Sequence, residues 1–364
     1  MLVYILALLV LFFGAVSLYL TYDRFRLKRS RPNSNLYVQA LIDLLDGKQE
    51  SAFTKLRQVV ADDSNNLDAY LRLGQILREN NQPDRALQVH KDLTLRSGLS
   101  HSEKTAILKQ LAADYIAAGE LNTAEAALKE LVSLDPGIHW AHSTLLGLQE
   151  KAQKWEDAYQ TAVQLLRLEA NKSKKPLADY KFRMGEKLLM KREYHKARVV
   201  CKEAIGLDPT FVPAYLAIGD SYYEEKRFED AVNFWNKLIS AVPEKGHLVI
   251  DRLKKTFFEL GRFGDIVQVC ESILERDPRN IEARRALAKF YEKKGDLDLA
   301  TEMLEQIITD CPDSELTILD LTRIYLEKGD KKKLGQLLHD LELKREKQEN
   351  AASSNPAGIS TVGA

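Results

Sequence analysis

Only three cysteines occur in 364 residues, and Cys201, Cys270 and Cys311 lie far apart with no C-x-x-C pair. That scarcity excludes a disulfide framework and a tetrathiolate metal centre, and leaves buried thiols in a reducing compartment. A surplus of either charge is missing too, because 53 basic and 53 acidic residues cancel. Nucleic-acid binders carry a basic excess, so that class of partner is set aside. Glycine (18) and proline (10) are sparse, which argues against loop-rich architectures and favours helix. Catalytic signatures are also lacking: there is no P-loop, no dinucleotide fingerprint, and no Ser-His-Asp or Cys-His arrangement. Carboxylates are plentiful only as charged helix faces. His139 and His142 stand one helical turn apart, but no third and fourth ligand matches them, so solvated or capping roles are expected. Neither an enzyme, a metal nor a cofactor is expected.

Long apolar runs are absent except for one. Leu2 to Leu20 reads LVYILALLVLFFGAVSLYL without a charge. Nineteen helical residues at ~1.5 Å each reach ~29 Å, close to the ~30 Å hydrocarbon core of a bilayer. A cleaved signal peptide places its charges before the apolar run. Here they follow it, as Arg24, Arg26, Lys28, Arg29 and Arg31. The expectation is an uncleaved anchor over residues 1–22 and a basic juxtamembrane linker over 23–35, with the bulk of the chain cytoplasmic by the positive-inside rule. The basic flank either sets topology alone or also touches anionic headgroups. The competing reading is a periplasmic protein with a cleaved leader.

What the remainder contains is a repeat. Copies start near Asn33, Leu67, Thr105, His139, Ala178, Val212, His247, Ile281 and Glu315. The spacing is 34 residues, except 38 and 39 after the second and fourth copies and 35 after the sixth. The sixth copy shows the pattern best, with Tyr215, Ile218, Gly219 and Tyr222 in a first helix, Ala231, Trp235 and Leu238 in a second, then Pro243. Small residues let the two helices approach, bulky ones fill the space between hairpins, and Asp-Pro pairs such as Asp135-Pro136 and Asp208-Pro209 break the chain. His90 stands where a packing aromatic belongs and is read as structural. The period and pattern resemble tetratricopeptide repeats. They predict an all-α, right-handed superhelix of about nine hairpins over residues 36–345, behind the one transmembrane helix, with a disordered tail over 346–364.

Counting along the repeat brings Trp140, Phe182, Leu189, Leu216, Tyr223 and Phe258 to outward positions of first helices, followed by the charged Arg285, Lys289 and Arg323. Two outcomes are open. The band lines a concave groove that grips a peptide or helix, or winding of the superhelix buries it against the next hairpin. Protein partners are expected, with self-association left open.

The stretch DRALQVHKDLTLRSGLSHSEKTAILKQLAADYIAAGELNTAE, from Asp84 to Glu125, is more specific than a generic repeat. With the apolar run, its basic flank and the opening NLYVQALIDLLDGKQESAFTKLRQVV, it resembles the lipopolysaccharide assembly protein B family over residues 1 to about 345. A long linker from Thr94 to Lys104 is implied between the second and third copies. The resemblance also implies a protein of the bacterial inner membrane that faces the cytoplasm. It would act as an adaptor presenting the deacetylase LpxC to the membrane protease FtsH and so limit lipopolysaccharide synthesis. The two C-x-x-C pairs of that family's rubredoxin-like domain have no counterpart here. A scaffold for a different envelope assembly, in secretion, pilus or division machinery, is the alternative.

Overall fold

The computed structural model describes residues 35–170 and 173–353, and among them every regular element is helical. Two compact units divide the chain between residues 172 and 173. In the first, α1 covers residues 35–45. It is followed by α2 (Gln49–Asp62), α3 (Leu67–Glu79), α4 (Pro83–Thr94), α5 (His101–Ala117), α6 (Leu121–Leu134), α7 (His139–Lys151) and α8 (Trp155–Leu168). The second holds α9 (Leu177–Met190), α10 (Tyr194–Leu207), α11 (Val212–Glu224) and α12 (Phe228–Ala241). After a 3-10 segment (Pro243–Val249) come α13 (Ile250–Glu259), α14 (Asp265–Arg276), α15 (Ile281–Lys294), α16 (Leu297–Asp310), α17 (Glu315–Lys328) and α18 (Lys331–Ser353). Helices pair in chain order, giving four hairpins in the first unit and five in the second. The expected anchor (1–22), the basic residues Arg24 to Arg31 and residues 354–364 lie outside the described residues. Among the described residues no helix is long and apolar enough to cross a membrane.

Each hairpin turns on one left-handed residue. Positive φ occurs between its two helices at Gly47, Asn81, Gly119, Gln153, Arg192, Lys226, Gly261, Gly295 and Gly329. A left-handed residue ends the first helix and lets the chain reverse at once into the second. Glycine adopts it without a Cβ penalty, and four hairpins force it on a larger residue.

Inside hairpins a glycine receives a large side chain. A Cβ on Gly74 would lie 2.3 Å from the His90 ring, one on Gly185 2.6 Å from Cys201 Sγ, and one on Gly219 2.1 Å from Trp235 Nε1. These second-helix side chains are fully buried. Between hairpins, buried apolar residues continue the core, as in the cluster of Ala112, Leu128, Leu131, Ala141 and Leu145.

Charged pairs pin adjacent hairpins. Arg78 reaches Asp114 at 2.5 Å, Lys154 reaches Glu125 at 2.6 Å, and Arg198 reaches Glu225 at 2.7 Å. Arg252 grips both oxygens of Asp220 at 2.7 and 3.1 Å. His90 is fully buried with Nδ1 on Asp114, and its Nε2 lies 3.2 Å from the Leu71 carbonyl, so the aromatic position is filled by a polar tie to the next hairpin.

Three boundaries differ from the sequence reading. The expected linker to Lys104 ends at Ser100, because Ser100 and Glu103 form a reciprocal capping box and start α5 at His101. The four extra residues therefore lengthen a helix instead of a loop. The seventh copy opens in a 3-10 segment with Pro243 at its start. Helix α18 continues beyond residue 345 to Ser353, since its charged, Gln- and Ala-containing sequence consists of good helix formers.

Candidate protein-binding faces

Repeat spacing sets first-helix side chains in rows. One row in the second unit runs Phe182, Leu216, Asp251, Arg285 and Leu319; another runs Leu189, Tyr223, Phe258, Glu292 and Leu326. Their exposure is uneven. Phe182 is half-buried, its ring centroid 5.6 Å from that of Phe211, which caps the start of the next hairpin. Tyr223 is half-buried against Phe228 at 5.4 Å and Trp235 at 6.4 Å. Leu189 and Leu216 are half-buried as well. Phe258 is 67% exposed and meets Phe263 edge-on at 5.4 Å. Trp140 lies in the first unit on α7, 36% exposed, with the Lys109 ammonium 5.6 Å from its ring centroid. The band is thus covered in part and left open at Trp140 and Phe258.

Arg285, Lys289 and Arg323 converge on one carboxylate. Asp320 is 6% exposed. It receives Arg285 Nη2 at 2.6 Å and Nε at 3.1 Å, while Lys289 lies 3.4 Å and Arg323 3.6 Å away. Arg323 also reaches Glu292 at 2.7 Å. A buried carboxylate holding an arginine through two nitrogens fixes α15 against α17 and presents the remaining cations outward.

The far end, read from the sequence as charged, also carries exposed Leu316, Leu319 and Leu326. Phe263, in the turn before α14, was missed as well. Adding 34 to Glu282, Arg285 and Glu292 finds the three leucines; no periodic signal finds Phe263, which sits outside both helices of its hairpin.

The histidines and thiols are structural in position. His139 pairs with Glu169 at 2.9 Å. His142 is buried instead of solvated, its Nε2 3.1 Å from the Pro136 carbonyl, because α7 turns it toward the preceding loop. No group of three or more metal-ligating side chains gathers among the described residues. Burial, with some help from Glu186, pushes the Cys201 thiol up to about 12, and burial pushes Cys270 up to about 11, so neither supplies a thiolate at neutral pH. Cys311 is half-buried.

Stacked two-helix units of 34-residue period, each closed by a left-handed turn, define a tetratricopeptide-repeat protein, and tetratricopeptide-repeat family models match residues 213–244 and 257–316. More particularly, the chain is homologous to lipopolysaccharide assembly protein B. It is 21% identical to that protein of Escherichia coli over 258 residues, 71% of this chain and 66% of the relative. With the Haemophilus influenzae protein it shares 26% over 248 residues, 67% and 61% of the two chains. The matched region therefore spans a little under two thirds of these relatives' length. Among solved structures, an APC/C hetero-tetramer of Cut9 and Hcn1 superposes with a TM-score of 0.31 at 15% identity, covering 82% of this chain and 56% of that one.

Proposed function

We propose that this chain is a non-catalytic scaffold of lipopolysaccharide assembly, anchored in the bacterial inner membrane by residues 2–20 and holding protein partners on the faces of its first helices. The observation that carries the reading is the exposed apolar side chains at repeat spacing, Phe258 above all, on a scaffold homologous to lipopolysaccharide assembly protein B. Apolar surface gains about 25 cal/mol per Å² when a partner covers it. Rows repeated every 34 residues suit an elongated partner segment more than a small molecule. The partners proposed are LpxC and FtsH, with the scaffold bringing substrate to protease at the membrane surface.

Affinity capture of the full chain from detergent-solubilised membranes tests the adaptor role: FtsH and LpxC are expected together, and recovery of neither refutes it. N-terminal sequencing of the membrane-extracted protein tests the anchor. An intact Met1–Leu20 segment supports it, and a cleaved start refutes it.

A further inference from the structure

The seventh hairpin departs from the regular repeat, and the departure builds a cavity. Its leading turn is the 3-10 segment Pro243–Val249 instead of α-helix. That turn places His247 on the wall of a cavity of about 350 Å³, bounded on the opposite side by α15. Such a volume falls in the range of small-ligand pockets.

The lining is charged. Lys254, Arg285 and Lys289 contribute three cations, against the carboxylates of Asp251 and Glu282. Arg285 is neutralised from behind by buried Asp320. The two lysines are less well matched. Lys254 meets Asp251 only at 3.5 Å, and that carboxylate is 90% exposed; Lys289 shares Asp320 with two arginines and stays 3.4 Å from it. Contacts of that length to shared or solvated carboxylates contribute little. In the same wall, His247 Nδ1 is buried and has no hydrogen-bond partner. Orphaned buried polar atoms are rare, and each is unfavourable until something pairs with it.

One helical turn beyond Lys254 stands Phe258, exposed beside Phe263. Residues four apart share a helix face. The ammonium-lined cavity and the bare aromatic pair therefore form one continuous feature.

We propose that this feature is a binding site for an acidic peptide segment, in which a carboxylate enters the cavity between Lys254 and Lys289 and an adjacent bulky apolar side chain rests on Phe258 and Phe263. The inference rests on the reading that first helices hold protein partners, and it adds the chemistry of what one stretch of them recognises.

The experiment uses the full chain in detergent micelles and two short fluorescein-labelled peptides, one with a Glu-Glu-Phe core and one with Gln-Gln-Phe. Fluorescence anisotropy is expected to show the glutamate peptide binding about tenfold tighter or more, the size of one well-placed charge interaction. Lys254→Ala with Lys289→Ala removes that preference, and added salt weakens it. Phe258→Ala weakens both peptides. Both lysines are at the surface, and matching circular dichroism spectra confirm that the variant folds. Equal binding of the two peptides, or an undiminished preference in the double variant, overturns the proposal. If Phe258→Ala still lowers partner recovery from membranes while the two peptides bind alike, this inference alone fails. If neither measurement responds, the scaffold reading fails with it.

Discussion

The indole of Trp235 occupies the place where a Cβ on Gly219 would stand, which would lie 2.1 Å from Nε1 and 2.4 Å from Cδ1. The two helices of the sixth hairpin close on each other because one contributes no side chain where the other contributes its largest. Gly219→Ala gains about 1 kcal/mol of helix propensity but forces a buried indole to move, at about 1–3 kcal/mol. Gly147, in the middle of α7, has nothing within 4 Å of a Cβ. Urea denaturation followed by tryptophan fluorescence is expected to show Gly219→Ala destabilised and Gly147→Ala stabilised by up to about 1 kcal/mol. Equal shifts in the two would contradict the packing account.

Lys226 holds a φ of 59° at the position where Gly295 holds 90°. A side chain in the left-handed region costs about 1–2 kcal/mol. Lys226→Gly is therefore expected to raise stability by about 1 kcal/mol, and Gly295→Ala to lower it by a similar amount. Thermal melts of both variants check the pair of opposite signs.

Asp114 is fully buried and joins His90 to Arg78, so it ties three helices, α3, α4 and α5. Asp114→Ala strands the buried imidazole of His90 and takes the carboxylate from half-buried Arg78, and removal of one partner from such a network costs about 3–5 kcal/mol. Hydrogen exchange is expected to show protection lost first in the second and third hairpins. Uniform loss along the chain would show that the network is not local.

Glu125 is nearly buried, and burial pushes its carboxyl up, but the ammonium groups of Lys129 at 2.8 Å and Lys154 at 2.6 Å outweigh that and hold it below the usual glutamate value. A depressed folded-state pKa contributes stability that is present above the unfolded value of about 4.3 and disappears as pH falls through the folded one. Glu125→Gln is thus expected to cost about 1–2 kcal/mol at neutral pH. The gap between variant and parent should narrow as the solution is taken below about pH 4. A gap that stays constant across the titration would rule out the ion pair as its source.

Phe258 and Phe182 both occupy outward first-helix positions, yet only Phe182 rests on the next hairpin. Phe258→Ala is expected to reduce partner capture while changing stability by no more than about 0.5 kcal/mol, as exposed substitutions do. Phe182→Ala is expected to cost about 2–3 kcal/mol through lost packing on Phe211. Paired melting and capture experiments separate the two roles.

The hairpins were legible because their determinants are local. Insertions of four, five and one residue between copies were visible in the spacing of small and bulky positions, and the left-handed residues Gly47 to Gly329 repeat the same intervals. Glycine announced the turn at Gly119 and Gly295. Gln153, Arg192 and Lys226 gave no such sign, since only neighbouring contacts hold them at positive φ. The start of α5 was misplaced because the Ser100–Glu103 capping box lies upstream of the repeat pattern.

Sequence alone determined the nine two-helix units seen among the described residues and their spacing, though not every first residue, because helix, turn and the glycine-to-bulky-residue match are settled within about 34 residues. Only tertiary structure decided which outward side chains stay in water. Phe182 found Phe211, Arg285 found Asp320 thirty-five residues on, and Phe258 found no cover beyond Phe263. Exposure is a property of what the next hairpin brings alongside, and a periodic pattern assigns equivalent positions without showing what stands opposite each of them.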